Sequence, residues 1–555
     1  MSSEPGQAPA PPDESRPRRL RASAVRAAGA AAVGVAAAAS AIALGELVSA
    51  FTGPASAPAL AVGSAAIDLT PTPLKEYAVR TFGTNDKPVL LGGIYLTLTA
   101  LAVLAGLIAV RRPRAGAAMF AVFGGVGAWA AMSRSTSGPA YLLPSLAAGL
   151  GGAAVLVLLA GRYRRALPAG PPSGPAPAPA SAPAPAADPA PADAPEPVRP
   201  DRRQFLVATG GTVAVAAAVG WAGRSLSQSR NDISAARRAV RIPPPARPAT
   251  ALPAAVHPGI PGLSPFVTPN ADFYRVDTAL TLPKIDPDRW SLRVHGLVDR
   301  PLLISFDELL RLPLEELDHT MSCVSNEVGG PYVGTTRWLG AALPALLRSA
   351  GVRAGADQLV GRSQDGMSIG TPLESVLDGR RALLAVAMNG ETLPVAHGFP
   401  CRTVVPGFYG YTSATKWLTE LEVTTFARYD PYWVRRGWDR TGAVRTASRI
   451  EVPAGFARIP AGTVTVAGTA WATHRGVAAV EVRVDDGPWA EATLAADAGP
   501  DLWRQWSWDW PAARPGTHTL QVRATDTTGA VQPEARAAPF PSGSTGWHST
   551  VVTVV

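Results

Sequence analysis

The hydrophobic pattern changes character along the chain. Its first 230 residues hold five windows, 27–45, 89–110, 115–133, 141–161 and 204–223, that are apolar and free of charged side chains. Each approaches the ~20 residues with which a helix crosses about 30 Å of hydrocarbon. The first is rich in alanine and so the least hydrophobic. Glycines recur in the third and fourth (Gly124, Gly125, Gly127; Gly149, Gly151, Gly152), where small residues allow close helix packing in lipid. From about residue 255 the pattern shortens. Apolar runs at 290–294 and 302–304 predict strands, and 339–350, with Leu343, Leu346 and Leu347 at helical spacing, predicts a helix. Frequent turn residues between them indicate a compact α+β domain. Residues 448–555 alternate with period two at 463–468, 480–484 and 518–524, end in a β-branched run, and carry a hairpin signal at Asp486-Gly487. They predict an all-β sandwich, immunoglobulin-like in shape but without a cysteine pair.

Charge orients the five spans. Segments 1–26, 111–114 and 162–203 carry 14 arginines and 7 acids, net +7, whereas 46–88 and 134–140 carry four bases and four acids, net 0. Positive flanks stay in the cytoplasm, so the N-terminus is expected inside and everything from Arg224 onward outside. That outer portion holds 33 bases and 31 acids, +2. Most of the chain's net charge of +9 therefore reports topology, and no nucleic-acid partner is expected, because that would need a basic face on the folded part.

Residues 168–200 contain 13 prolines interleaved with alanine, a semi-rigid spacer that cannot pack a core. The fifth span opens on Asp201-Arg202-Arg203-Gln204-Phe205-Leu206, similar to a twin-arginine export signal placed internally, with Asp201 where Ser or Thr is usual and Val207 where Lys is usual. Two ordinary positive-inside arginines would read the same way. No small-residue cleavage site stands out after Gly223, so the segment is expected to stay as an anchor. The expected organisation is a cytoplasmic disordered tail (1–26), a four-helix membrane region (27–163), a Pro/Ala linker (164–200), a signal-like fifth helix (201–224), a tether (225–254), the α+β domain (255–432) and the sandwich (448–555).

Composition narrows the chemistry. The chain is only 17% charged, against about 25% in soluble domains, and the deficit lies in the five windows. Cys323 and Cys401 are the only cysteines, which excludes a disulfide scaffold, a four-cysteine zinc site and a cysteine-ligated iron–sulfur cluster. All seven histidines lie at or after His257, so the membrane region lacks haem ligands, and its windows hold no charge to mark a transport path. An anchor is the plain expectation there, with a quinone or partner-protein contact as the alternative.

Cys323 lies in Met321-Ser322-Cys323-Val324-Ser325-Asn326-Glu327. Alone it reads as a buried thiol, half of a disulfide with Cys401, or a thiolate ligand for a soft or high-valent metal. A second cluster runs through Met388-Asn389-Gly390-Glu391, His397 to Arg402, Val405-Pro406-Gly407 and Lys416-Trp417-Leu418. It sets one histidine, one arginine and one lysine among glycines and prolines, a set suited to an anion such as a phosphate.

Taken in order, Cys323-x-x-Asn326, Trp338-x-Gly340, M-N-G-E-x-L-P, H-G-F-P-x-R, V-P-G-x-x-G and K-W-L resemble the molybdopterin domain of the sulfite oxidase family over roughly residues 262–430. The sandwich is similar to that family's C-terminal dimerisation domain; residues 1–250 are not covered. The resemblance implies Mo-molybdopterin as cofactor, with Cys323 as the molybdenum ligand and catalytic residue. It places His397 and Arg402 on the pterin and its phosphate, and Lys416, with Thr415 before it, late in the cofactor loop. It also assigns to the cofactor Asn270, Tyr274 and Arg275, in an N-x-x-F-Y-like entry motif, and Ser363, at the position of a cofactor-contacting Thr in the bacterial methionine-sulfoxide reductase branch. In such a site the cofactor carries out two-electron oxygen-atom transfer while the protein orients and tunes it.

Two stretches depart from the family pattern. The arginines that would follow Cys-x-x-Asn are Glu327 and Val328, and F-Y-x-R-N-H is Phe273-Tyr274-Arg275-Val276-Asp277-Thr278. An acid facing an anion costs binding, so a strict sulfite oxidase is not expected unless Arg337 or Arg275 restores a positive contact. Substrates are expected among sulfur oxyanions and S- or N-oxides. The chain is thus expected to be a multi-pass, membrane-anchored, extracytoplasmic oxidoreductase. It would exchange electrons with a separate electron-transfer protein or a quinone-linked partner and could pair as a homodimer through the sandwich. Cys401 is expected to serve packing. The rival reading is a cofactor-free, surface-anchored binding or adhesion module.

Overall fold

The computed structural model describes residues 15–82, 85–133, 137–167 and 202–555. Its contacts divide into two units, one ending at Asn231 and one beginning at Asp232. The start of the expected tail (1–14), most of the Pro/Ala linker (168–200) and Asp201 of the signal-like segment lie outside the described residues.

The first unit is helical: α1 (Ser15–Thr52), α2 (Pro58–Leu69), α3 (Thr72–Phe82), α4 (Asp86–Arg111), α5 (Pro113–Met132), α6 (Leu143–Ala166) and α7 (Arg202–Arg230). Five of these, α1, α4, α5, α6 and α7, are long and apolar enough to cross a membrane. Helices α1, α4 and α7 contain their windows and overrun them, because helix propensity does not stop where charge begins; α5 ends one residue short of its window and α6 begins two residues into its own. Glu46 and Arg224, read from the sequence as flanking charges, consequently lie within α1 and α7. Helices α1 and α4 cross at glycines. A methyl group on Gly34 would fall 1.9 Å from the Ala102 carbonyl oxygen, and one on Gly106 2.2 Å from that of Ala30. Only glycine allows backbones so close.

The second unit starts with α8 (Ser234–Ala239) and an extended stretch. An α+β domain follows: β1 (Ser291–Gly296), β2 (Leu302–Ser305), α9 (Phe306–Arg311), β3 (Leu314–Ser322), β4 (Val333–Ala342), α10 (Leu343–Ala350), β5 (Gln358–Ser363), β6 (Ser368–Pro372), α11 (Leu373–Leu377), β7 (Leu383–Met388), β8 (Glu391–Thr392), β9 (Arg402–Val404), α12 (Gly410–Ser413) and β10 (Leu418–Thr424). One sheet has the order β3-β4-β7-β8, with β9 also on β7; the other is β2-β1-β10-β5-β6. Leu292, Leu309, Leu343, Leu347, Leu384 and Leu421 belong to one buried core cluster. The helix predicted over 339–350 starts only at Leu343. Its first four residues finish β4, where Leu339 pairs with Ala387 and Ala341 with Leu384 of the buried strand β7. Pro344 then opens α10 in the first turn, the position that needs no backbone donor.

The sandwich comprises β11 (Ala447–Val452), β12 (Arg458–Ile459), β13 (Gly462–Trp471), β14 (Val477–Val484), β15 (Ala490–Glu491), β16 (Thr493–Leu494), β17 (Arg504–Ala513), β18 (Gly516–Asp526) and β19 (His548–Val554). Its sheets have the orders β11-β13-β17-β16 and β12-β19-β18-β14-β15. Inward-facing Val466, Val480, Val482, Trp506, Leu520, Val522 and Val552 fill the space between them, as the period-two pattern predicts.

Candidate active site

Cys323 stands directly after β3, at the head of a loop that closes on itself. Its N–H donates to the Tyr332 carbonyl at 2.9 Å, and its carbonyl accepts from the Asn326 N–H at 3.1 Å. The Asn326 side chain accepts from the Tyr332 N–H at 2.8 Å, so the Cys-x-x-Asn spacing is what shuts the loop. The sandwich clamps the outside: Ser544 Oγ donates to the Asn326 carbonyl at 2.6 Å, and Arg449 Nη1 to that of Gly330 at 3.0 Å. Cys323 and Cys401 are both buried free thiols, so the disulfide alternative falls away. Cys401 is 0% exposed within the main core cluster.

The predicted cationic residues converge on the same buried region. Arg402, at the start of β9, is 4% exposed. Its guanidinium donates to the His397 carbonyl at 3.0 Å, approaches Met321 Sδ at 3.5 Å and lies 4.8 Å over the Trp338 ring. Among the described residues no carboxylate pairs with it. His397 sits in a short turn ended by Gly398, whose φ of 113° a side chain would strain. Its Nε2 faces the Asn270 carbonyl at 3.2 Å. Asn270 donates to the Met388 carbonyl at 3.1 Å and accepts from Asn389 at 2.9 Å. Tyr274 is half-buried, stacked on Phe273 with ring centroids 5.0 Å apart, and within electrostatic reach of Cys323 and Arg402. Lys416 Nζ and Arg275 Nε both reach Asp277, at 2.6 and 2.7 Å.

Thr415 and Ser363 stand further off. The Thr415 N–H donates to Thr403 Oγ1 at 2.8 Å, next to Arg402. Ser363 pairs with Leu418 across β5 and β10, and its hydroxyl faces the Asp365 N–H at 3.5 Å, within its own hairpin. Arg337, considered as a substrate cation, is clamped by Asp318 through two contacts of 2.7 Å, and Arg275 is bound to Asp277.

Burial and mutual repulsion set the protonation states. Burial first, then Arg402, hold His397 down to about 4, so it is neutral near pH 7. Burial takes Lys416 down to about 8 against the pull of Asp277, and Arg402 down to about 10. The Tyr274 phenol is pushed well above its usual range, chiefly by burial. Burial also raises the Cys323 thiol, while Ser325 and Lys416 draw it back toward the thiolate.

A buried guanidinium beside a buried ammonium, with one carboxylate between three cations, is costly unless an anion joins them. The comparisons agree with that chemistry. The model of the oxidoreductase molybdopterin binding domain matches residues 279–433. Mitochondrial sulfite oxidase of Mus musculus is 31% identical over 343 residues, 52% of this chain and 62% of that protein. Sulfite oxidase of Gallus gallus is 32% identical over 335 residues, 51% of this chain and 72% of that protein. The chain belongs to the sulfite oxidase family. It spans about 62% of the length of the mouse relative. A solved structure of the sulfane dehydrogenase SoxCD from Paracoccus pantotrophus is similar over 53% of this chain and 84% of that one, at 24% identity and a TM-score of 0.46.

The stretch matched to the family model holds Cys323, Ser363, His397, Arg402, Thr415 and Lys416, whereas Asn270, Tyr274 and Arg275 precede it. Sequence reasoning missed three contributors. Asp277 is the carboxylate that Lys416 and Arg275 share; its signal was an acid where the sulfite oxidase family pattern has none. Asn389, at φ 50°, ties together Thr336 Oγ1, the Arg337 N–H, the Thr268 carbonyl and Asn270. Ser325, inside the Cys323 loop, stands near enough to the thiol to favour its thiolate form.

Proposed function

We propose that this protein is a membrane-anchored, extracytoplasmic molybdopterin-dependent oxidoreductase that catalyses two-electron oxygen-atom transfer on a sulfur oxyanion or an S- or N-oxide, and that it is not a strict sulfite oxidase. The observation that carries this reading is Arg402, buried without a carboxylate beside Lys416, neutral His397 and the Cys323 thiol. That donor set fits an anionic phosphate-bearing cofactor with a metal that accepts a thiolate. Arg402 and Lys416 would hold the phosphate, Asn270, Tyr274, Arg275, Thr415 and Ser363 would border the cofactor, and Cys323 would ligate molybdenum. When bound, the cofactor supplies the two-electron oxygen-atom transfer.

The chain's own groups prepare for this. Ser325 and Lys416 favour the thiolate that ligation demands against the burial that opposes it. With Nε2 directed at the Asn270 carbonyl, neutral His397 keeps its proton there and offers Nδ1 as an acceptor. Tyr274 keeps its phenolic proton and remains a donor beside Cys323. Glu327 is exposed in a cleft with Ser322, Asn326, Tyr409 and Ser544, and an acid there weakens a dianion such as sulfite more than a neutral oxide.

The anchoring and side rest on the five apolar helices and the positive-inside charge bias. Export through a twin-arginine-like signal at Arg202-Arg203, the seven-part organisation read from the sequence, a separate or quinone-linked electron partner and a homodimer through the sandwich belong to the same proposal. The test is elemental and pterin analysis of the purified chain, with a redox-dye screen of sulfite, sulfoxides and N-oxides. About one molybdenum per chain and dye-linked turnover of a neutral oxide above that of sulfite are expected. A metal-free protein purified from cells that make the cofactor would refute the reading.

A further inference from the structure

The helical unit holds an open-sided cavity of about 110 Å³ bounded by α1, α2, α4, α5 and α6, several times the ~10–15 Å³ that a single water needs. Ala41, Ile42, Val62, Leu98, Phe120 and Phe123 make most of its wall apolar, and two polar groups interrupt it, Glu46 of α1 and Ser145 of α6. Ser145 is 1% exposed and its hydroxyl has no hydrogen-bond partner. Ser40, Ser49 and Thr212 donate back to a carbonyl of the preceding turn, Ala36 at 2.9 Å, Glu46 at 2.8 Å and Ala208 at 2.8 Å; Thr209 of α7 shares the orphaned state of Ser145 but does not line the cavity. Ser145 lies in the first turn of α6 and makes no such bond. An orphaned hydroxyl in an apolar setting is costly, and a ligand oxygen would relieve it. The Glu46 carboxylate stands 4.0 Å from Arg224, longer than a hydrogen bond.

Both groups lie at one end of the bundle. Glu46 is near the C-terminal end of α1 and Ser145 at the start of α6, the end flanked by the uncharged-on-balance segments 46–88 and 134–140. Gly127 makes room for the Ser145 side chain: a methyl group there would fall 2.7 Å from Ser145 Oγ. An acyl chain would leave both polar groups unsatisfied, and a phospholipid phosphate would set its charge against Glu46. A neutral, flat head with two hydrogen-bonding oxygens and an apolar tail satisfies them. Ser145 donates to one oxygen, the Glu46 carboxylate accepts from the hydroxyl that a quinol carries at the other, and Phe120 and Phe123 offer aromatic faces.

We propose that this cavity binds a lipid-soluble quinone or quinol, which makes the helical unit more than an anchor. The site is argued from the helical unit alone and holds whether or not molybdenum is bound. The test is titration calorimetry of decylubiquinol, kept reduced, into the full chain in phosphatidylcholine nanodiscs, with mass spectrometry of retained small molecules. Saturable binding of one quinol per chain is expected. Ser145→Ala, which hardly changes shape, and Glu46→Gln should each weaken it about tenfold, and Val62→Trp, which fills the cavity, should abolish it. Thr97→Ala, whose hydroxyl is exposed and bonds within α4, should change nothing. Non-saturable partition equal in all variants, or a retained phospholipid that quinol does not displace, would overturn the proposal.

Discussion

Replacing Arg402 by methionine separates a structural arginine from one that waits for an anion. In the cofactor-free chain, burial lowers the guanidinium from its ordinary value to about 10. At 1.36 kcal/mol per unit this is a cost of about 3 kcal/mol for keeping the charge there. Methionine replaces the stem as far as about Nε with apolar atoms, and no carboxylate is left stranded. The hydrogen bond to the His397 carbonyl and the stacking on Trp338 are lost, about 1 kcal/mol each. Arg402→Met should therefore leave the cofactor-free protein between unchanged and about 2 kcal/mol more stable, whereas breaking a buried ion pair costs about 3–5 kcal/mol. Molybdenum retained through purification should fall at least about tenfold, one lost charge-assisted contact being worth about 1.5–3 kcal/mol. Urea unfolding of chain made without cofactor, followed by tryptophan fluorescence, reads the first quantity, and elemental analysis of chain made with it reads the second. A loss of 3 kcal/mol or more, or undiminished molybdenum, would sink the argument.

Other consequences follow from the same geometry. Cys323→Ala should leave folding nearly intact, a small side chain being trimmed, and cut dye-linked turnover by at least about a hundredfold, as steady-state assays will show. Asp277→Asn strands Lys416 and Arg275 together and should destabilise the cofactor-free chain by about 3 kcal/mol, with a smaller loss when cofactor is present; paired denaturation curves measure the difference. His319, His397 and His548 are each held down to about 4, mainly by burial. Their folded values lie below the ~6.5 of an unfolded histidine, so the unfolded chain takes up protons first. Stability should fall as pH drops through 6.5 and level off near 4, by several kcal/mol in sum; urea midpoints at pH 7, 6, 5 and 4 check this, and His319→Leu should flatten the slope. Glu327→Arg should raise turnover of sulfite relative to neutral oxides, measured as the ratio of kcat/KM values.

Local pattern alone determined much of this protein. The five apolar windows mark the helices long and apolar enough to cross a membrane because a bilayer demands a length and a polarity that neighbours cannot supply. Period two marks the sandwich because its strands have one buried face. The spacing around Cys323, His397, Arg402 and Lys416 names the family because each motif is a short loop whose geometry is mostly local. Tertiary structure alone decided the rest. Residues 339–342 are a strand because β7 offers them backbone partners, a fact far away in sequence. Asp277 neutralises Lys416 from 139 positions upstream, and the sandwich clamps the Cys323 loop from more than 200 positions downstream. The unpartnered Ser145 hydroxyl emerges only when five helices pack around a gap. Sequence records what each segment prefers; charge pairing, burial and cavities depend on which segments meet.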